Sequence, residues 1–197
     1  MIGQKHLFLA EMQADFNIIK NKISSHVPKA IPDGGSFRAC VLMPIVLHES
    51  SLHLLLTKRT ENVEHHKGQI SFPGGMVDDG DTSPVHTALR ELDEEVGIKN
   101  SAVTILGQLD DIQIPSGFIV TPIVGFIESL DGMKTNNDEV AEVILIPLEK
   151  FFDTTLQRIE VRELMGIQRQ VYFYDVWKEP VWGATAHIIK QFTHIIS

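Results

Sequence analysis

Residues 5–24 carry Leu7, Phe8, Met12, Phe16, Ile19 and Ile23 at intervals of three and four, which predicts an amphipathic helix. Two prolines and two glycines in "VPKAIPDGGS" end it. The pattern then changes. "FRACVLMPIVL" and "LHLLLTKR" are short, almost continuously apolar runs on either side of "HESS", and predict a hairpin of buried strands. "AVTILGQLDDI" and "FIVTPIVGFIES" predict two more strands, with "PSG" as a turn. "VAEVILIPLEKFF" reads as a strand and a short helix, "QVYFYDVWKEPVWG" as a hairpin through "KEP", and "TAHIIKQFTHII" as a closing helix. Residues 60–84 form a long polar connection, a length that in a compact domain is usually functional or disordered. Mixed strands with few helices predict an α+β domain or an α/β/α sandwich. Residues 1–30 read as an N-terminal helix and linker, and 31–197 as the main domain.

One further helix stands apart because its polar face is acidic. In "SPVHTALRELDEEVGIK", Ser83 and Pro84 are a side-chain cap followed by proline at the first helical position, and Gly97 is a stop. The helix is predicted over Pro84–Val96. At roughly 100° per residue, Glu94 and Glu95 fall within about 60° on either side of Glu91. Val85, Ala88, Leu89, Leu92 and Val96 form an apolar seam beside them, while Asp93 points to water. Arg90 stands four residues before Glu94 and can pair with it. A solvated acidic face would be the ordinary reading. Against it, the helix has no lysine, and its acids crowd the C-terminal half, where the helix dipole disfavours negative charge. Three clustered carboxylates suit a hard divalent cation with oxygen ligands, and magnesium in such sites also meets substrate phosphates.

The rest of the composition narrows the classes. Seventeen basic residues against 26 acidic give a formal net charge of −9, which argues against nucleic-acid or anionic-membrane partners. No apolar run approaches the roughly 20 residues that span a bilayer. The start of the chain is a poor signal peptide, and the single cysteine, Cys40, cannot form an internal disulfide; both suit a cytoplasmic setting. Cys40 lies in an apolar run and reads as a small core residue. His65 and His66 offer a metal-binding reading, but a histidine pair in a polar loop is more often merely solvated, and His86 lacks a recognisable ligand spacing. Ser116 reads as a turn residue, Phe118 as core or substrate contact, and Glu163, in "VRELMGI", as an ordinary surface acid.

The acidic helix resembles the Nudix box, G-x5-E-x7-R-E-U-x-E-E-x-G-U with U aliphatic. "RELDEEVGI", from Arg90 to Ile98, fits the second half at every constrained position. The first half departs: six residues after Gly75 stands Asp81 rather than Glu, with one extra residue before Arg90. That departure is similar to the coenzyme A pyrophosphatase group of Nudix hydrolases, whose upstream signature is L-L-T-x-R-[SA]-x3-R-x3-G-x3-F-P-G-G. Here the stretch is "LLTKRTENVEHHKGQISFPGG", Leu55 to Gly75. Thr60 replaces the small residue and Glu64 replaces the second arginine. "PSGFIVTPIVGFI" and "VWGATAHII" also resemble this group, so the resemblance covers roughly residues 36–190.

The resemblance implies a Nudix-type α/β/α sandwich with a mixed sheet and a metal-dependent diphosphatase using Mg2+ or Mn2+. Glu91 and Glu95 are implied as metal ligands, Glu94 as a ligand or water-binding partner, and a carbonyl of Gly74 as a further ligand. Gly75 lets the backbone approach closely. Arg90 orients Glu94, and Gly97 ends the helix. Lys58 and Arg59 are candidates for phosphate and Phe72 for substrate contact. The general base is a box glutamate, Glu94 or Glu95, or the later Glu139 in "NNDEVAEV". The implied substrate is a nucleoside diphosphate-linked small molecule, coenzyme A first, giving 3',5'-ADP and 4'-phosphopantetheine. NADH, ADP-ribose and dNTPs are alternatives, as is a non-catalytic Nudix-fold binding protein. The chain is expected as a monomer or homodimer.

Overall fold

The computed structural model describes residues 2–60, 68–164 and 166–197. A first helix, α1 (Ile2–Ser25), leads to a hairpin of two long strands, β1 (Arg38–His48) and β2 (Ser51–Arg59). Its turn places Glu49 and Ser50 at φ 48° and 66°, the left-handed pair that matches the twist of a two-residue hairpin. Two short strands follow, β3 (Ile70–Ser71) and β4 (Gly74–Met76), and then the acidic helix α2 (Pro84–Val96). Next come β5 (Val103–Gln108), β6 (Ile112–Gln113), β7 (Ile119–Ile127) and β8 (Val140–Pro147). The chain closes with β9 (Gln157–Leu164), β10 (Ile167–Tyr174), β11 (Val181–Trp182) and α3 (Gly183–Ile196).

Eight strands form one mixed sheet along the path β3-β2-β1-β7-β5, with β4 on β1, β6 on β7 and β8 on β2. β1 and β7 run parallel from Arg38↔Ile119 to Val46↔Ile127, and the other pairings are antiparallel. Strands at the centre of a sheet covered on both faces need apolar side chains on both sides, and this is why β1 and β7 are nearly unbroken apolar runs. One face holds Cys40, Leu42, Leu55 and Ile123 against Ala88, Leu92 and Val96 of α2. The opposite face packs Met43, Ile45, Leu54 and Leu56 in one core with Ile19 and Ile23 of α1 and Ile188, Ile189 and Phe192 of α3. Each such side chain, fully buried, contributes about 1.5–3 kcal/mol. The molecule is thus the expected α/β/α sandwich.

The C-terminal end of α1 belongs to that sandwich. A Cβ at Gly107 would stand 2.9 Å from the Ile23 carbonyl, so the glycine lets the helix lie directly on β5. The side chains of Leu7, Phe8 and Met12 lie outside the described set, as do residues Glu64, His65 and His66. The linker after α1 is pinned to the main domain. His26 meets Asp110 at 2.8 Å, and the backbone N–H of Ile31 donates to Asp111 at 2.9 Å. Arg38 reaches both Asp33 and Asp111.

Three strands depart from the expectation. β3 and β4 fall inside the connection expected over residues 60–84. Residues 157–164, to which the sequence pattern assigned no element, form β9, which pairs antiparallel with β10 and makes, with β11, a separate three-stranded sheet. Glu163 is exposed on it, as expected of a surface acid. The hairpin expected through "KEP" is present as β10–β11.

Candidate active site

α2 has the boundaries the sequence predicted. Ser83 is extended, its Oγ accepts the His86 N–H at 3.1 Å, and Pro84 opens the helix. Gly97 has φ +71° and donates its N–H to the Asp93 carbonyl at 2.8 Å. A Cβ there would stand 2.7 Å from the Lys134 carbonyl, so glycine serves both the turn and the close approach of the next loop.

The helix wheel grouped Glu91, Glu94 and Glu95, and the tertiary structure grades them. The Glu95 side chain is 2% exposed, Glu91 14% and Glu94 55%. Glu95 lies beside the apolar seam and is carried under the sheet, where three groups meet it. The Thr57 hydroxyl donates to Oε2 at 3.3 Å, Arg59 Nη1 stands 3.6 Å from Oε1, and the Gly74 N–H donates to the carboxylate. Burial pushes the Glu95 carboxyl up to about 7; Arg59 and the Gly74 N–H pull it back, while Glu91 and Glu139 push it further. Burial also raises Glu91, against the opposing pull of Arg90. Glu91 faces Gly75, where an added Cβ would lie 2.3 Å from its Oε1. The absent side chains of "GG" are therefore the space in which these carboxylates sit. Gly74 itself is ladder-paired with Val41 in β1.

Arg90 does more than the expected pairing with Glu94. Its Nη1 donates to Glu94 at 3.2 Å and to Glu91 at 2.7 Å. Its Nε and Nη2 fork onto Asp81 at 3.2 and 2.9 Å, and Nη2 also donates to the Met76 carbonyl at 3.0 Å. Asp81, only 1% exposed, is held far below the usual carboxylate range, above all by its hydrogen bond from Arg90. His86 adds a contact at 3.1 Å. Asp81 thus anchors the arginine that holds the box glutamates, and the shorter acid and longer spacing still reach it. Asp93, expected to face water, is half-buried and paired with Lys99 at 2.8 Å.

β2 splits its two cations. Side chains alternate across a strand, so Thr57 and Arg59 face α2 while Lys58 turns to the opposite face and meets Glu179. Arg59 therefore joins the carboxylate cluster and Lys58 does not. Phe72 is buried in the core on the α1–α3 side, a ring spent on packing rather than on a ligand surface. Phe118 is half-buried and packs on the exposed Phe37, with ring centroids 5.6 Å apart. Cys40 is buried and its thiol is pushed up to about 11 by burial, in keeping with a core role.

Glu139 reaches the cluster from the loop before β8, close enough to raise both Glu91 and Glu95. The loop is tied to the end of α2: Lys134 N–H donates to the Val96 carbonyl and Asn136 N–H to the Glu95 carbonyl, each at 2.9 Å. These bonds satisfy helix carbonyls that would otherwise lack partners. The sequence reading singled out neither Thr57 nor Asn136. For Thr57 the signal was present, since "LLTKR" places it two residues before Arg59 on a strand.

The donor set suits a divalent cation by its chemistry. It consists of carboxylate oxygens, which hard cations prefer. Glu94 and Glu139 raise the proton affinity of Glu91, Glu91 and Glu139 raise that of Glu95, and the cation paired with the buried Glu95 is Arg59, at 3.6 Å. Among the described residues, no three acid, histidine or cysteine side chains already converge as a cation cage. Arg90 engages Glu91 and Glu94, and Arg59 engages Glu95.

Comparison with known proteins agrees with this geometry. Residues 38–165 match the NUDIX domain. A Nudix hydrolase named NudL from Photorhabdus laumondii is 38% identical over 164 residues, covering 83% of this chain and 87% of the relative. NudL of Pectobacterium atrosepticum is 41% identical over 160 residues, covering 81% and 83%. In fold, the chain is similar to a MutT/nudix family protein from Enterococcus faecalis, with a TM-score of 0.54 at 16% identity, covering 87% of this chain and 65% of that one. The chain belongs to the Nudix family, hydrolases that act on diphosphate bonds and generally require a divalent cation.

Proposed function

We propose that this Nudix hydrolase cleaves the diphosphate bond of coenzyme A or its derivatives, releasing 3',5'-ADP and 4'-phosphopantetheine. The observation that carries the reading is the joint pattern of "LLTKR…G…FPGG" with an aspartate-bearing, lengthened box. The geometry supports both halves of that pattern. Thr57 and Arg59 of the first half touch Glu95, and Asp81 of the second half anchors Arg90.

In this reading Glu91 and Glu95 hold a Mg2+ or Mn2+ ion, with Glu94 and the Gly74 carbonyl as further oxygen donors. When bound, the cation polarises the phosphoryl oxygens and stabilises the charge that develops on them. The remaining work falls to the chain. Arg90, braced by Asp81, keeps Glu91 oriented while Glu95 is fixed from beneath by Thr57 and Gly74. Arg59 exchanges part of its pairing with Glu95 for a phosphate oxygen of the substrate. Glu139 takes the proton of the attacking water; it is the described acid that comes to the cluster from outside the helix, and it leaves the box carboxylates to the cation.

The test is a substrate panel. The protein is incubated with Mg2+ or Mn2+ and coenzyme A, acyl-CoAs, NADH, ADP-ribose or dNTPs, and the products are identified by mass. 3',5'-ADP and 4'-phosphopantetheine at the highest kcat/KM are expected. A preference for NADH or ADP-ribose transfers the activity to another nucleoside diphosphate, and turnover of none returns a binding protein.

A further inference from the structure

Asn136 uses each of its polar groups, and together they tie Glu139 to the acidic helix. Its backbone N–H donates to the Glu95 carbonyl at 2.9 Å. Its carbonyl accepts the N–H groups of Glu139 at 3.1 Å and Val140 at 2.9 Å. Its side-chain Oδ1 accepts the Asp138 N–H at 3.2 Å, an Asx turn that sets the orientation of the amide. With the oxygen so placed, Nδ2 donates to Glu139 Oε1 at 3.2 Å. Among the described residues this is the only hydrogen bond to the Glu139 carboxylate. The end of β2 clamps the same loop from the other side: Thr60 N–H donates to the Glu139 carbonyl at 2.9 Å and Thr60 Oγ1 to the Asp138 carbonyl at 2.8 Å.

A carboxylate at a loop tip would otherwise sample several rotamers, and a proton acceptor must sit within hydrogen-bond reach of the water it serves. We propose that Asn136 is a positioning residue. It fixes one oxygen of Glu139 with its amide and sets the loop in register with Glu95 through its backbone, leaving Oε2 for the proton of the attacking water. The inference rests on the reading of Glu139 as the base. It adds that the aim of that base is set by the helix bearing the metal carboxylates, so the two halves of the site move as one body. The sequence offered only "NNDE", a polar loop in which nothing distinguishes Asn136 from Asn137.

The test uses Asn136→Ala, Asn136→Asp and Glu139→Gln, alone and combined, on the substrate the panel selects. Asn136→Ala is expected to lower kcat by about tenfold to a hundredfold while KM stays within about twofold. Mn2+ affinity, read by electron paramagnetic resonance without substrate, is expected to be unchanged. Asn136→Asp keeps an acceptor for the Asp138 N–H, and with it the turn, but sets a second carboxylate against Glu139; its kcat is expected to fall at least as far. In the Glu139→Gln background, Asn136→Ala is expected to cost nothing further. Wild-type kcat in Asn136→Asp would reduce the residue to a turn former and overturn the inference. Weakened Mn2+ binding, or full additivity with Glu139→Gln, would do the same by tracing the effect to the helix. If Glu139→Gln is impaired and Asn136→Ala is not, this inference alone fails. If Glu139→Gln itself keeps the wild-type rate, the assignment of the base fails and this inference falls with it.

Discussion

Arg90-Glu91-Leu92 lies in a helix, and Arg162-Glu163-Leu164, the same three residues, lies in a strand. In α2 the arginine is enclosed by Asp81, Glu91 and Glu94, and the glutamate rests in the space left by Gly75. In β9 the arginine lies over the rings of Phe173 and Trp182 and pairs with Glu160, while the glutamate is exposed. The tripeptide specifies neither outcome. Flanking residues do: Ser83, Pro84 and Gly97 bound a helix, whereas Ile159, Val161 and the Gly166 turn at φ +76° favour a hairpin. What then makes one copy a site is the neighbours that the fold delivers, namely β2, β4 and the loop bearing Glu139.

Substitutions at the two copies should therefore separate widely. The largest effect is expected at the carboxylates: Glu91→Gln and Glu95→Gln should each lower metal-dependent kcat by about 10³-fold or more. Near-normal rates in both, assayed with magnesium, would sink the site. With the Glu95 carboxyl held up at about 7, protons compete with the cation, so wild-type metal affinity should weaken by about tenfold per pH unit below 7. Titration calorimetry across that range checks the slope, and Glu95→Gln should flatten it.

Gly75→Ala comes next. Its Cβ must push the Glu91 carboxylate aside, because the two would otherwise stand 2.3 Å apart. A displacement of that size should reduce kcat by about a hundredfold. The clash is with a movable side chain, so an unchanged far-ultraviolet circular dichroism spectrum and melting temperature are expected alongside.

Asp81→Asn tests the brace beneath the helix. It leaves the guanidinium of Arg90 with one charge partner fewer in a mostly buried setting, at a cost of about 2–3 kcal/mol in urea unfolding at neutral pH. The sign with pH follows from the depressed carboxyl of Asp81. Its stabilisation is complete above the ordinary carboxylate value, about 4, and is lost as pH falls from there through the folded-state value. The stability gap between wild type and Asp81→Asn should therefore narrow on acidification, and a gap that widens would contradict the pairing.

The strand copy should be nearly silent. Arg162→Ala gives up its stacking on Phe173 and Trp182, about 0.5–1 kcal/mol, and Glu163→Ala should lie within about 0.5 kcal/mol of wild type. Neither should alter kcat. A loss of turnover in Glu163→Ala would erase the distinction between the two copies.

The sequence defined the acidic helix to the residue, because its cap, its proline and its glycine are local signals. It also determined the paired buried strands, because an apolar run needs no knowledge of what covers it. Hydrophobic pattern and box chemistry together were enough for the sandwich and for the acids. The burial order of Glu95, Glu91 and Glu94 needed the tertiary structure, since a helix wheel gives direction but not the depth of the neighbouring sheet. So did the separation of Lys58 from Arg59, which depends on which face of β2 receives α2. β9 was missed because its alternation of charged and β-branched residues is interrupted and leaves much of the strand in solvent. Asn136 had no local mark at all: its role arises where a loop before β8 closes over the end of a helix some forty residues earlier, and hydrogen bonds between distant segments leave no periodicity to read.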